Sequence, residues 1–334
     1  MTEEAGRAKQ QREVAALRTV IIAFGANFLV AVAKTIAAVI TGSASMVAES
    51  AHSWADTGNE IFLLLAERRS ARPQDSSHPG GYGRDAYVWS LIAAFGLFTA
   101  GAVVSITHGL AELSSTQPAT NYAVAYIVLA VSFVFEGISF AQSYVQARRS
   151  ADKFGTGTLE HVLITSNTTL RAVFAEDSAA LIGLVIAFAG VLTHQLTGDA
   201  VYDAIGSILV GVLLAIVAII LIDRNRRFLI GEPASDAVTD SVLTVLLERP
   251  EIEKVTYLHL EFVGPERFTL IAAVDLAGDD PESDVAADLA AVEHDLEQSP
   301  YLARAVLTLS RPGAQALVPE HPDDALGSDR KVIG

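Results

Sequence analysis

Residues 43–69 constrain the fold most, because this stretch is long enough to cross a bilayer yet polar along one side. A membrane-spanning helix needs about 20 residues, and side chains three or four positions apart share one of its faces. Four polar residues recur at that spacing: Glu49, His52, Asp56 and Asn59, with Glu60 as an alternative to the last. Ionisable groups inside a membrane are costly and usually face a bundle interior. The stretch therefore predicts a membrane helix whose polar face serves a pathway.

His52 and Asp56 are one helical turn apart, so an imidazole nitrogen and a carboxylate can point at the same ion. Together they supply half of a tetrahedral transition-metal site. The chain has no cysteine, which excludes thiolate ligands and disulfides. Any metal site must therefore use histidine and carboxylate side chains.

The remaining sequence predicts a polytopic membrane protein. Its 334 residues are 51% hydrophobic with a mean hydropathy of +0.38, which exceeds ordinary soluble domains. Residues 1–18 are a polar arm without a cleavable signal pattern, and the first apolar run is long enough to remain as an anchor. Six membrane helices are predicted, at 19–41, 43–69, 86–112, 122–147, 170–196 and 200–222. The stretch 148–169 is interpreted as a polar connection.

Basic residues mark one side of the membrane. Lys and Arg residues lie before the first predicted span and after the second, fourth and sixth spans. The loops that follow the first, third and fifth spans contain no Lys or Arg. Because loops rich in Lys and Arg stay in the cytoplasm, both termini are expected on the cytoplasmic side.

A soluble α+β domain is predicted at 231–311. Strands are expected at 255–263, 268–276 and 303–310, and helices at 236–247 and 281–298, an order that suggests a ferredoxin-like sandwich. Residues 312–334 are expected to be a disordered tail. From residue 232 to the end there are 21 acidic and 7 basic residues, so nucleic-acid binding through a basic surface is not expected.

Several separated segments together resemble the cation diffusion facilitator family, in particular its zinc transporter nine-like branch. The segments are SASMVAESAHSWADTGNE, DSSHPGGYGRDAYVWSL, AEDSAALIGLVIA and VYDAIGSILVG. The resemblance covers about residues 20–311. It implies a homodimeric metal/proton antiporter that moves divalent cations out of the cytoplasm or of an organelle.

The resemblance also implies a ligand set. Family members take two ligands from the second span, which match His52 and Asp56, and a His-x-x-x-Asp pair from the fifth. Asp177 matches that aspartate, but Val173 stands where the histidine is expected. Glu176, Asn59 or a water could complete four ligands. Neighbouring helix positions are about 100° apart, so Glu176 and Asp177 are not expected to point straight inward together. Structural pairing without an ion is the alternative for these carboxylates.

Other polar positions have supporting roles in this interpretation. Glu49 is expected beside the ligands rather than among them, and Asn59 favours a helix–helix hydrogen bond over metal binding. Glu136, in the middle of the fourth span, is either a proton relay or an inward packing group.

Two secondary metal sites are weaker expectations. Family members often bind an ion with Asp-x-x-His-x-x-x-His between the second and third spans; here Asp75 and His78 match, but Tyr82 replaces the last histidine. In the soluble domain His259 and Glu261 share a face of a strand, where a solvated acidic surface is favoured over a metal site.

The favoured function is a zinc/proton antiporter with zinc as transported substrate and no other cofactor. Protons compete with zinc for His52, since only neutral imidazole binds metal. Manganese, iron, cobalt and nickel remain alternatives, as does a non-transporting scaffold or regulator. No enzymatic motif such as His-Glu-x-x-His appears, so no catalytic residue is assigned. Low aromatic and high alanine content favours a bacterial plasma membrane.

Overall fold

A computed structural model describes residues 24–114, 120–153, 156–278 and 280–319. The predicted arm 1–18, the start of the first helix and the end of the predicted tail lie outside these residues. Within them, seven helices precede the soluble domain: α1 Phe24–Thr41, α2 Ala44–Ser70, α3 Asp85–Glu112, α4 Tyr122–Lys153, α5 Thr158–Ile164, α6 Thr168–Thr197 and α7 Val201–Ile230.

Five helices of the described chain are long and apolar enough to cross a membrane, namely α1, α3, α4, α6 and α7. The sixth expected span is α2, whose 27 residues provide the length but whose polar side chains lower its hydropathy. The stretch 148–169 is only partly a connection. It contains the end of α4 and all of α5, whose seven residues are too short for their periodicity to stand out.

Glycines with positive φ end two of the long helices. Gly42 has φ 66° and donates its N–H to the Ala38 carbonyl at 2.9 Å, closing α1. Gly198 has φ 75° and donates to the His194 carbonyl at 2.8 Å, closing α6. Left-handed backbone at a helix end strongly favours glycine. Only a few residues therefore separate α1 from α2 and α6 from α7.

Residues 24–64, 89–145 and 172–222 belong to one compact unit that contains most of the long helices. Small residues let the helices approach closely: a Cβ on Gly211 would lie 3.0 Å from the Ala102 carbonyl oxygen. Helix α3 contains a π-helical turn, Ala94–Phe98, where Phe98 is buried. Large apolar side chains on α4 face outward, as expected of a lipid-facing surface: Ile127, Val131, Phe133, Val134, Phe135 and Ile138.

The second compact unit contains the soluble α+β domain. Its elements are α8 Asp236–Leu247, β1 Ile252–Gly264, β2 Arg267–Leu276, α9 Glu282–Leu296 and β3 Leu302–Leu309. The three strands lie in the order β1-β2-β3; β1 and β2 are an antiparallel hairpin, and β2 runs parallel to β3 across the α9 connection. The predicted α+β domain with three strands is confirmed.

The apolar faces of that sheet and of its two helices form one core. In β2 alternate residues are buried, namely Leu270, Ala272 and Val274, as the period-two pattern predicts. The core is lined by Leu246, Val255, Leu260, Leu270, Ala272, Val274, Val292 and Leu296.

This second unit also includes residues 65–88, 146–171 and the end of α7. Gly83 lies against β1 so closely that a Cβ there would be 2.3 Å from the Val263 carbonyl oxygen. The Arg84 guanidinium donates to Glu261, and the backbone N–H of Glu266 donates to the Ser166 hydroxyl at 2.9 Å. The predicted domain boundaries at 18, 230 and 311 remain predictions.

Aromatic rings continue this contact within the unit. Tyr87 stacks on Phe228 at a centroid distance of 5.0 Å, Phe228 meets Phe262 edge-on at 5.4 Å, and Phe262 lies 4.2 Å from Phe268. We call these four residues the aromatic row. It connects helix residues to both strands of the hairpin.

Arg171 is buried beside the aromatic row. Its guanidinium lies 5.4 Å from the Phe228 ring centroid. It donates to the Thr165 carbonyl and to the Asn225 side-chain oxygen, each at 2.6 Å. The beginning of α6 is thereby fixed to the end of α7.

Candidate metal site

A small polar cavity lies among α1, α2, α4 and α6. Its volume is about 20 Å³, which exceeds the space of about 10–15 Å³ that a single water needs. It is lined by Asn27, Ser53, Asp56, Glu136, Glu176 and Asp177. Three of the four predicted ligand positions are carboxylates, and all three border this cavity.

His52 is the fourth predicted ligand. Its side chain is buried, and Nε2 lies 3.2 Å from Asp56 Oδ2. Although this contact is close, no hydrogen bond satisfies either ring nitrogen or Asp56 Oδ1 within the described chain. Buried polar atoms without partners are costly. The pair therefore has unused capacity to bind a cation or a water.

Glu176 and Asp177 both line the cavity, while the expectation that they would not both point straight inward stays a prediction. Two side chains about 100° apart can each reach a space that lies between their directions. Asn59 donates to Glu176, and the Ser139 hydroxyl donates to Asp177 Oδ1 at 2.9 Å. Asn59 thus makes the predicted hydrogen bond between helices.

The predicted ligands do not converge on one point. In the described part of the chain, no three His, Asp or Glu side chains are grouped closely enough to hold a metal ion. His52 pairs with Asp56, while Glu176 is bonded to Asn59 and Asp177 to Ser139. Four-coordinate binding would require these side chains to rotate into the cavity, so the ligand set remains a prediction.

Contacts made by two side chains of α1 extend the polar region. Lys34 Nζ lies 2.9 Å from Glu49 Oε2 and 3.8 Å from Glu136 Oε1. The Asn27 amide donates to Glu60 Oε1 at 2.5 Å. Residue spacing does not predict these partners of Lys34 and Asn27. Their signal was a lysine and an asparagine within an otherwise apolar span, where each needs a partner.

Glycine allows the two ligand-bearing helices to approach. A Cβ on Gly183 of α6 would lie 2.6 Å from Glu49 Oε1 and 3.7 Å from His52 Nδ1. A larger residue would displace Glu49. The contact therefore places α2 directly against α6.

Asp203 holds the beginning of α2. Its Oδ1 accepts hydrogen bonds from the Ser43 hydroxyl at 2.9 Å and the Ser45 N–H at 3.2 Å, and Oδ2 accepts from the Ala44 N–H at 2.7 Å. The Ala44 and Ser45 N–H groups are among those that a helix leaves unpaired at its N-terminus. A side chain from α7 thereby caps the helix that carries His52 and Asp56.

The loop position with Asp75 and His78 is closed by its own hydrogen bonds. Tyr82 donates its hydroxyl to Asp75 Oδ2 at 2.6 Å, and the N–H groups of Ser77 and His78 donate to Oδ1 at 2.8 Å. The Tyr82 bond, then these backbone bonds, hold the pKa of Asp75 below its usual range. His78 stacks on the Tyr82 ring at 3.9 Å. Tyr82 therefore binds the carboxylate from the position of the expected second histidine, the last ligand of the motif.

The second predicted secondary site, on strand β1, also has side chains that already make contacts with each other and with a neighbour. His259 Nε2 lies 3.7 Å from Glu261 Oε2, while Glu261 Oε1 accepts from Arg84. Metal binding at either secondary position remains untested.

Long apolar helices with ionisable side chains turned inward, joined to a small α+β domain, define an integral membrane protein of the transporter class. A family model described as the cation efflux transmembrane domain matches residues 20–230. The chain belongs to this cation efflux family, which confirms the predicted relationship.

Individual relatives agree with the family. "Metal tolerance protein C4" of Arabidopsis thaliana is 35% identical over 277 residues, covering 81% of this chain and 61% of the relative. "Proton-coupled zinc antiporter SLC30A9, mitochondrial" of Xenopus laevis is 34% identical over 261 residues, covering 78% and 47%. "Zinc transporter ZitB" of Escherichia coli is 25% identical over 259 residues, covering 74% of each. The chain thus spans about half of the length of the first two relatives.

Proposed function

We propose that this protein is a proton-coupled antiporter that exports a divalent metal ion from the cytoplasm, with zinc as the favoured substrate. The observation that carries the proposal is the buried cavity bordered by Asp56, Glu176 and Asp177, with His52 directly beside Asp56. Names of relatives from plants, animals and bacteria, which refer to metal tolerance or zinc transport, support it.

The donor set fits zinc. Imidazole nitrogen and carboxylate oxygens are ligands that Zn²⁺ binds in tetrahedral sites. His52, Asp56 and Asp177 would supply three ligands, and Glu176 the fourth in place of the histidine absent at Val173. Manganese, iron, cobalt and nickel also bind such groups and remain alternatives.

Antiport follows from competition at these ligands. A proton on His52 or on a carboxylate removes the lone pair that the metal needs, so metal binding releases protons and protons displace metal. Glu136 lines the same cavity and would pass protons to and from it. Rocking of the helices around a fixed site would expose the cavity to each side in turn.

The distribution of basic residues supports a cytoplasmic location for both termini. We further propose a homodimer in a bacterial inner membrane.

A second candidate is a non-transporting scaffold or regulator. It is favoured by Val173 at the position of the expected histidine and by the lack of a converged triad among the described residues. The retention of three inward-facing carboxylates opposes it, since they are costly in a membrane without a function.

Reconstitution in vesicles tests the proposal. Zinc flux and opposite proton flux are measured together for wild type, Asp56→Ala, Asp177→Ala and Glu176→Gln. Both alanine variants should lose coupled flux, whereas Asp199→Ala, at an exposed aspartate between α6 and α7, should keep it. Loss of flux in Glu176→Gln would identify Glu176 as the fourth ligand. A folded wild type that moves neither zinc nor manganese would support the scaffold.

A further inference from the structure

Lys34 is enclosed within the polar region of the bundle. Only 1% of its surface is exposed. Its ammonium lies 2.9 Å from Glu49 Oε2, within hydrogen-bonding distance, and 3.8 Å from Glu136 Oε1. Lysine, Glu49 and Glu136 come from α1, α2 and α4, so the contact joins three helices.

Glu136 connects this cluster to the cavity. It lines the cavity together with Asp56, Glu176 and Asp177, while one of its oxygens faces the ammonium. The lysine therefore shares one of its two carboxylate partners, Glu136, with the space proposed to receive a divalent ion.

A contribution to the stability of the fold does not by itself explain why a lysine is buried at this place. A buried ion pair roughly breaks even against apolar packing, because desolvation offsets the attraction between its members. A fixed positive charge near a cation site has a second effect, since it repels the incoming ion. In a transporter this repulsion is useful, because an ion that is bound too tightly is not released.

We propose that Lys34 is a tethered counter-charge that pairs with Glu49 and Glu136 and thereby weakens the cavity's hold on a divalent ion, allowing its release. This role rests on the proposed function. It makes Lys34 a determinant of affinity and turnover and not a metal ligand.

The sign of the effect distinguishes this role from a structural one. Removing the ammonium leaves Glu49 and Glu136 unneutralised and should strengthen zinc binding. Removing the Glu49 carboxylate leaves the ammonium in excess and should weaken it. At an effective dielectric constant of about 20, the interaction energy between one unit charge and a divalent ion at roughly 10 Å is large enough to change the zinc affinity by at least about tenfold.

The experiment measures the zinc dissociation constant of the purified full chain in detergent by competition with a metal buffer at pH 8. Lys34→Met should bind zinc at least tenfold more tightly, and Glu49→Gln at least tenfold more weakly. The double variant Lys34→Met/Glu49→Gln, which removes both members of the pair, should return to within about threefold of wild type. Lys254→Met serves as the matched control, because it removes a lysine from a half-buried pair with Asp275 in the soluble domain.

Transport supplies a second readout. In vesicles, Lys34→Met should show a lower maximal zinc flux together with a lower half-saturating concentration, as expected when release becomes slow. If Lys34→Met does not fold, the comparison of the double variant with Glu49→Gln decides, since the double variant must bind zinc more tightly.

Weaker zinc binding by Lys34→Met, or a double variant no tighter than Glu49→Gln, would overturn the counter-charge role and leave Lys34 a structural residue. That result is separate from failure of the proposed function, which is signalled by a wild type that binds no zinc at all.

Discussion

The cap on α2 predicts that Asp203 has a large effect on stability. Asp203→Ala removes the acceptor of three hydrogen bonds and leaves the Ala44 and Ser45 N–H groups unpaired at a buried helix end. An unsatisfied buried donor costs about 1–3 kcal/mol, so the two together should cost about 2–6 kcal/mol. At roughly 2 °C per kcal/mol for a chain of this size, the apparent melting temperature should fall by about 4–12 °C.

Thermal unfolding of the purified protein in detergent measures this effect, with tryptophan fluorescence followed at one fixed scan rate because unfolding of such proteins is a rate process. Asp203→Asn keeps the volume and one acceptor and should cost less, about 1–2 kcal/mol. Asp199→Ala is the matched control, since this exposed side chain accepts one hydrogen bond, from the Val201 N–H at 3.0 Å, and water can replace it. A fall for Asp203→Ala no larger than for Asp199→Ala would refute the reasoning.

Two further predictions concern the second compact unit. Gly83→Ala should lower the melting temperature and Gly80→Ala should not, because a Cβ would meet the Val263 carbonyl at 2.3 Å in the first case and nothing within 4 Å in the second; equal effects would contradict the close approach. Tyr82→Phe removes the main cause of the lowered pKa of Asp75, so that pKa should rise. Since the folded-state pKa lies below the unfolded one, the bonds to this carboxylate are present above the unfolded value and are lost as pH falls through the folded one. Hydrogen exchange of the loop, corrected for intrinsic rates, should therefore show that Tyr82→Phe loses amide protection at a higher pH than wild type, and an unchanged pH profile would contradict this.

The sequence predicted the starts of α2, α3, α4, α6 and α7 within two residues, because the starts of apolar runs are local signals. Two predicted ends, at 147 and 222, fall short of Lys153 and Ile230, because the last turns of α4 and α7 are polar. It also predicted the strands of the soluble domain, since alternating burial is visible in the order of residues. The π-helical turn Ala94–Phe98 was not predicted. It depends on how α3 packs against its neighbours, and its five residues are apolar like those around them.

Contacts between helices were less predictable than the helices themselves. That His52 and Asp56 share a face follows from their spacing, and the structure places them 3.2 Å apart. The pairing of Lys34 with Glu49 depends on the rotation of α1 against α2, which the spacing within either helix does not give. That both Glu176 and Asp177 line the cavity likewise depends on where the cavity lies between the helices.

The aromatic row bears on how pieces of this protein could be exchanged with those of a relative. Phe262 lies between Phe228 and Phe268, so a fragment that starts at residue 231 would leave one side of its ring in water. A hybrid protein joined at that position would pair the β1–β2 hairpin with foreign rings in place of Tyr87 and Phe228. Residues 65–88, 146–171 and 223–319 should instead be transplanted as a set. Such hybrids should therefore exchange three separate segments of the chain together, and not only the single C-terminal segment that the linear sequence suggests.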